Sequence, residues 1–265
     1  MSCAHSPRLR AACFHALAKN ILAIVRAFKP VRILLLGPAL FLLYATLLCF
    51  PQPFFRFSAR AESLVLRSDA PFPDAAAKHV LELATKKLAR SPLYSGSGPY
   101  NVLVCNARWR QKLFFNREYG AGGVAYPFTS NVFLRDARIQ DDRLISPRGT
   151  PVPGDRTLDY FIAHEITHQL TGRALGLLRY YQLPQWVREG YADYVGKGDS
   201  FDYKQARRAF LSAAPEMDWK KSGLYWRFHL LVAYLLDHQR WSVDRLLRNP
   251  PAQSAVEASI RSEQR

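Results

Sequence analysis

The spacing of hydrophobic residues along the chain changes character near residue 155. Before that point, short apolar runs such as "YNVLVC" and "NVFLRD" have the length of strands and are separated by Gly-rich and Pro-rich turns. One earlier segment, residues 74–89, has apolar residues at three-to-four spacing and predicts a helix. After that point, apolar residues recur at helical spacing to about residue 247. Short strands followed by helices predict an α+β domain.

A second hydrophobic pattern lies near the N-terminus, where residues 33–50 form a run of eighteen residues without a charge. Such a run crosses most of a hydrocarbon core about 30 Å thick, so we expect a transmembrane anchor over residues 31–50. Residues 1–32 carry six Lys and Arg and no acidic residue, which favours a cytoplasmic N-terminus. The prediction is a single-pass protein of the cell membrane with an extracytoplasmic domain, periplasmic in a bacterium. A cleaved signal peptide stays open, because "FSARA" offers a cleavage site of the Ala-x-Ala kind.

These patterns divide the chain into four parts. A basic leader occupies residues 1–30, the anchor residues 31–50, a folded domain residues 57–249, and a polar tail residues 250–265. The net charge of +16 comes without a nucleic-acid-binding motif, so we expect no nucleic-acid partner. One of the four cysteines lies in the folded domain, so no disulfide is expected within it.

The segment "DYFIAHEITHQL", residues 159–170, places two histidines four positions apart. Positions i and i+4 share one face of a helix, so His164 and His168 can present two imidazoles to one metal ion. Glu165 lies beside that ion without ligating it, in the position of a general base for water. A hydrolytic zinc site needs three protein ligands and one open position. The alternative is a structural helix with two satisfied histidines, so the presence of a third ligand decides between them.

A third ligand is available in "WVREGYAD", residues 186–193, where Glu189 follows His168 by twenty-one residues. HExxH followed by a glutamate about one helix later resembles the gluzincin metallopeptidases. "WVREGYA" resembles their aminopeptidase branch and the small bacterial peptidase-MA-like domains. The resemblance implies a zincin-like domain with a small sheet and one zinc ion per chain, held by His164, His168 and Glu189. It also implies that Glu165 is the general base.

The same resemblance assigns further roles. Asp193, one helical turn after Glu189, would bond the outer nitrogen of His164 and orient its ring. The oxyanion donor would come from the later helix "LYWRFHLLVAYLL", in which the candidates are Tyr225, His229 and Tyr234. Tyr225 is favoured because it lies near the helix start. Peptide substrates would pair with an edge strand in "AYPFTSNVFLRD", residues 125–136; an ordinary structural strand is the alternative.

The sequence therefore predicts a membrane-anchored zinc metallopeptidase that hydrolyses peptide bonds by a zinc-activated water. An endopeptidase is favoured, because no Gly-x-Met-Glu-Asn sequence for a free amino terminus is present. The expected partners are a peptide or protein substrate and the membrane. Two alternatives stay open: a catalytically inactive, membrane-tethered binding module of the same fold, and a zinc hydrolase of a non-peptide amide or ester.

Overall fold

The structure, a computed structural model, describes residues 36–263 of the chain. The chain divides into two compact units, Met1–Phe50 and Pro51–Arg265. In the first unit, helix α1 covers residues 36–49.

Helix α1 occupies most of the segment for which a transmembrane anchor is predicted, residues 31–50. In the part of the chain that the structure describes, no helix is both long and apolar enough to cross a membrane. The prediction of a single-pass membrane protein with an extracytoplasmic domain is therefore wrong. Residues 31–35 and the predicted leader, residues 1–30, lie outside the described residues.

The second unit contains a five-stranded sheet with strand order β1-β2-β3-β5-β4. These strands are β1 Phe57–Ala61, β2 Leu64–Ser68, β3 Tyr100–Val104, β4 Gly123–Ala125 and β5 Asn131–Leu134. Strands β2, β3 and β5 run parallel, whereas β1 and β4 pair antiparallel at the two edges. All four residues of β5 are buried, as expected of an inner strand covered on both faces. A small ribbon, β6 Ala137–Arg138 and β7 Arg143–Leu144, follows the sheet.

Helices surround this sheet and form the rest of the unit. They are α2 Asp74–Leu88, α3 Arg108–Phe115, α4 Leu158–Leu175, α5 Leu177–Gln182, α6 Gln185–Lys197, α7 Tyr203–Leu211, α8 Trp219–Ser222, α9 Trp226–Ala233, α10 Val243–Arg248 and α11 Gln253–Ser262. Helix α2 connects β2 to β3, and its buried residues recur at three-to-four spacing where it packs on β1, β2 and α4. Most strands precede most helices, and the predicted α+β class is confirmed.

Helix α4 is the central element of the unit. Every residue from Leu158 to Gly172 is buried, because α2, α5, α6, β4 and β5 all pack against this helix. A polar side chain in such a helix has little access to bulk water and needs a partner within the protein. The two histidines and the glutamate of the HExxH sequence lie in this buried stretch.

The C-terminal residues for which a polar tail is predicted are instead helical over Gln253–Ser262. Helix α11 buries Val256 and Ile260, which lie four positions apart on one face, and it packs on α9. Arg227 of α9 donates two hydrogen bonds to Glu257 of α11, at 2.9 and 2.6 Å. The folded unit therefore extends beyond residue 249.

Candidate metal centre

Helix α4 supplies the first two donors of the candidate centre. His164 and His168 lie one turn apart on the same face, and their Nε2 atoms are 3.2 Å from each other. Both side chains are less than one-tenth exposed. Two imidazole nitrogens at this separation can point at one ion.

Helix α6 supplies the third donor, the carboxylate of Glu189. Its Oε2 atom lies 3.6 Å from His164 Nε2 and 3.5 Å from His168 Nε2. Tetrahedral ligands at about 2.1 Å from a metal ion are about 3.4 Å apart, which is close to all three separations. The two histidines and this glutamate therefore form a group that can hold a metal ion.

The surroundings of Glu189 keep its carboxylate ionised. Burial works to raise the pKa of Glu189, but the two neighbouring histidines outweigh it and hold that pKa well below its usual range. The other oxygen, Oε1, accepts a hydrogen bond from Arg188 Nε at 3.3 Å. One oxygen is thus occupied by an arginine while the other faces the histidines.

Glu165 lies beside the three donors without joining them. Burial and the charge of Glu189 raise the pKa of Glu165 to about 7, although His164 and the backbone N–H of Ala125 oppose the shift. Edge strand β4 lies directly against this side chain: a Cβ atom placed on Gly123 would lie 2.7 Å from Glu165 Cγ. Only glycine leaves enough room there for the glutamate.

Asp193 lies behind the centre, but it does not contact His164 directly. Its Oδ1 accepts a hydrogen bond from Tyr160 at 2.6 Å, and its Oδ2 lies 2.9 Å from His229 Nδ1. Burial works to raise the pKa of Asp193, yet the hydrogen bond and positive charge of neighbouring groups, His229 first, lower it to about 2. Tyr160 Oη is 3.5 Å from His164 Nδ1, so a tyrosine stands between the aspartate and the histidine.

The three candidates for an oxyanion donor have different surroundings. Tyr225 lines the cleft, with its ring stacked parallel to that of His164 at a centroid distance of 5.9 Å. His229 is turned towards Asp193 and stacks on Phe201, and Tyr234 donates to Glu263 at 2.8 Å. Of these three residues, Tyr225 is the one brought to the centre.

A cleft of about 560 Å³ opens over the centre and is walled on one side by β4. It is also lined by five side chains for which the sequence predicts no role, namely Arg156, Tyr160, Tyr180, Tyr181 and Arg188. The position of Tyr160 could have been predicted from the sequence, because it precedes His164 by four residues on a predicted helix and shares its face. The others are brought to the cleft by tertiary packing.

No protein-family model matches the chain, and no curated protein matches it.

Proposed function

We propose that this protein is a zinc-dependent metallopeptidase that hydrolyses peptide bonds in the cleft over α4 and α6. The observation that carries the proposal is the convergence of His164, His168 and Glu189, with Glu165 beside them but outside the donor set. Three protein donors leave a fourth position open, which is the arrangement of catalytic rather than structural zinc sites.

Zinc is the ion that suits this donor set best. Two neutral imidazoles and one carboxylate match its preference for nitrogen and oxygen ligands in tetrahedral geometry. When bound, zinc supplies a Lewis acid that acidifies water and polarises a carbonyl oxygen. The remaining chemistry belongs to side chains of the protein.

Glu165 is proposed as the general base. Its carboxylate removes a proton from the attacking water and then delivers that proton to the nitrogen of the leaving amine. A pKa of about 7 allows Glu165 both to accept and to release a proton near neutral pH. A carboxylate with an ordinary, lower pKa is a weaker base and would take the proton from water less readily.

Tyr225 is proposed as the donor that stabilises the oxyanion. Burial and nearby carboxylates raise the pKa of Tyr225 well above its usual range, so its phenol keeps its proton. A protonated hydroxyl that faces the cleft can donate a hydrogen bond to the oxygen on which negative charge develops.

The edge strand β4 supports a peptide substrate over other amides. It is the last strand of the sheet and it lines the cleft, so its outer backbone groups, apart from the Ala125 N–H that bonds Glu165, can pair with an extended chain. A peptide that adds to a sheet edge gains main-chain hydrogen bonds whatever its side chains are. We propose an endopeptidase, because the chain carries no Gly-x-Met-Glu-Asn sequence.

The test is the metal content and peptidase activity of the full-length chain produced with zinc. We expect about one zinc per chain, which is lost in His168→Ala because two donors hold the ion too weakly. Glu165→Gln should keep the zinc but lose hydrolysis of a peptide library by about 100- to 10,000-fold, because it cannot carry a proton.

Matched controls come from the exposed side of α2. His79→Ala and Glu82→Gln remove the same functional groups from the surface and should change neither zinc content nor hydrolysis. A folded wild-type chain without stoichiometric metal would contradict the proposal. Bound zinc without hydrolysis of any peptide would favour the inactive binding module or the hydrolase of a non-peptide substrate.

A further inference from the structure

Four buried side chains form a connected series behind the candidate centre. Tyr160 Oη donates to Asp193 Oδ1 at 2.6 Å, and His229 Nδ1 lies 2.9 Å from Asp193 Oδ2. At the other end, His164 Nδ1 lies 3.5 Å from Tyr160 Oη. Each oxygen of Asp193 therefore has its own partner, and neither partner is His164.

The positions of the hydrogen atoms follow from the ionised carboxylate in the middle of the series. Asp193 has no proton to give, so Tyr160 Oη and His229 Nδ1 must both donate to it. The Tyr160 hydroxyl has one hydrogen, which it donates in the hydrogen bond to Asp193. Towards His164 it can therefore only accept a hydrogen bond. In the neutral ring of His164 the proton then belongs on Nδ1, and the free lone pair belongs on Nε2.

We propose that Tyr160 is a positioning residue, which holds His164 in the tautomer that binds metal by linking its outer nitrogen to Asp193. The inference rests on the proposed function, because it treats His164 as a metal ligand. The Nε2 atom left free by this arrangement is the one that faces His168 and Glu189. An imidazole ligand needs such a partner to fix both its tautomer and its ring orientation.

Neighbouring elements hold Tyr160 in this place. The tyrosine precedes His164 by one turn of α4, so the two side chains share a face. Helix α6 makes room for the phenol ring, because a Cβ on Gly196 would lie 3.0 Å from Tyr160 Cδ2. Asp193 is fixed from the far side by His229, whose ring stacks on Phe201 at a centroid distance of 3.5 Å. The aspartate is thus held in contact with the tyrosine.

The first part of the test is the affinity of Tyr160→Phe for zinc, measured by competition with a chelator on the full-length chain. We expect binding about 10- to 100-fold weaker than in the wild type, because His164 loses its partner. The matched control is Tyr191→Phe, which removes an equally buried hydroxyl on the ligand-bearing helix α6, hydrogen-bonded to Ser91 at 2.6 Å. The control should lose stability but bind zinc like the wild type.

The second part is the tautomer of His164 in the metal-free chain, read from its ring nitrogen chemical shifts. We expect the Nδ1–H form in the wild type and in Tyr191→Phe, and a mixture of both forms in Tyr160→Phe. The Nε2–H form in the wild type would overturn the inference even if Tyr160→Phe does not fold. Zinc affinity that is unchanged in a folded Tyr160→Phe would overturn it too.

The two proposals fail in different ways. Zinc bound without hydrolysis counts against the peptidase and leaves the role of Tyr160 intact. Unchanged zinc affinity in Tyr160→Phe counts against the role of Tyr160 and leaves the peptidase intact. The tautomer measurement needs no metal, so it decides about Tyr160 even in a chain that binds none.

Discussion

At the scale of single residues, the two glutamates of the candidate centre have pKa values shifted in opposite directions. Burial raises the pKa of Glu165 to about 7, whereas two histidines outweigh burial at Glu189 and keep its pKa well below the usual range. A carboxyl group that gains and loses a proton near neutral pH is suited to proton transfer. One that stays ionised is suited to hold a cation.

The proposed oxyanion donor can be tested by a change of one atom. Tyr225→Phe keeps the ring that stacks on His164 but removes the hydroxyl. We expect kcat to fall by about 100-fold with little change in KM and full zinc content, because the lost hydrogen bond forms with the transition state. Tyr234→Phe, whose hydroxyl is bonded to Glu263 instead, is the matched control and should keep its kcat. Equal kcat values for Tyr225→Phe and the wild type would exclude this role.

Spacing along the chain was enough to select the two histidines, but not the residues around them. His164 and His168 could be chosen because helical periodicity places them on one face of α4, whereas the choice of Glu189 rests on the resemblance of the two motifs to the gluzincin pattern. The contact between Asp193 and Tyr160 depends on how α4 and α6 approach each other, which no local pattern encodes. The direct bond from Asp193 to His164 is what the resemblance implies, and the structure places Tyr160 between the two side chains instead.

At the scale of elements, the short strand β4 and helix α4 are fitted to each other at Gly123. A methyl group at this position would lie 2.7 Å from Glu165 Cγ and equally close to Leu134 Cδ2, so one of these neighbours must move. We expect Gly123→Ala to lower kcat/KM by about 100-fold while zinc stays bound, because Glu165 would be displaced from its working position. The measurement is steady-state kinetics together with metal content.

A matched glycine makes this prediction specific. A Cβ atom on Gly120, on the same side of the cleft, would meet nothing within 4 Å. Gly120→Ala should therefore behave like the wild type in both assays. Full activity in Gly123→Ala would mean that β4 does not constrain Glu165.

Element boundaries were predicted well where the hydrophobic pattern was regular over the whole element. They were predicted poorly where the element contains few apolar residues. Helix α2 and strands β3 and β5 were found from their patterns. The helix over Gln253–Ser262 was missed because it buries only two apolar side chains, Val256 and Ile260, in a polar stretch. The edge strand was expected within residues 125–136, whereas the sheet ends at Gly123–Ala125, before the Pro127 turn.

At the scale of the whole molecule, stability should depend on pH through a pair of carboxylates at the start of α4. Asp142 Oδ1 accepts from the backbone N–H of Asp159 at 3.0 Å. Burial, and then the charge of Asp159, raise the pKa of Asp142 to about 7. A carboxyl group with a raised pKa stabilises the fold below its unfolded pKa of about 4, and this contribution is lost as pH rises through about 7.

The variant Asp142→Asn should remove that dependence. Asparagine keeps an oxygen acceptor for the Asp159 N–H and tolerates the left-handed backbone at this position, where φ is 50°. We expect it to be more stable than the wild type by about 1 kcal/mol at pH 8 and by nothing at pH 4, allowing for solvent screening of a partly exposed group. Denaturant unfolding at both pH values measures this.

A neighbouring residue provides the control for the pH series. Asp141 is exposed, so Asp141→Asn removes a charge from the same turn without relieving a buried carboxylate. Its stability relative to the wild type should be the same at both pH values. A gain for Asp142→Asn that is equally large at pH 4 would show that the carboxylate pair does not set the pH dependence.

The free edge of β4 has a consequence for which proteins such an enzyme could cut. The outer edge of Gly123–Ala125 can pair only with an incoming chain that is extended. A folded protein keeps its own backbone groups paired internally and has to give up that pairing before it fits. The cleft would therefore bind linkers, termini and unfolded chains, and it would not bind well-folded proteins.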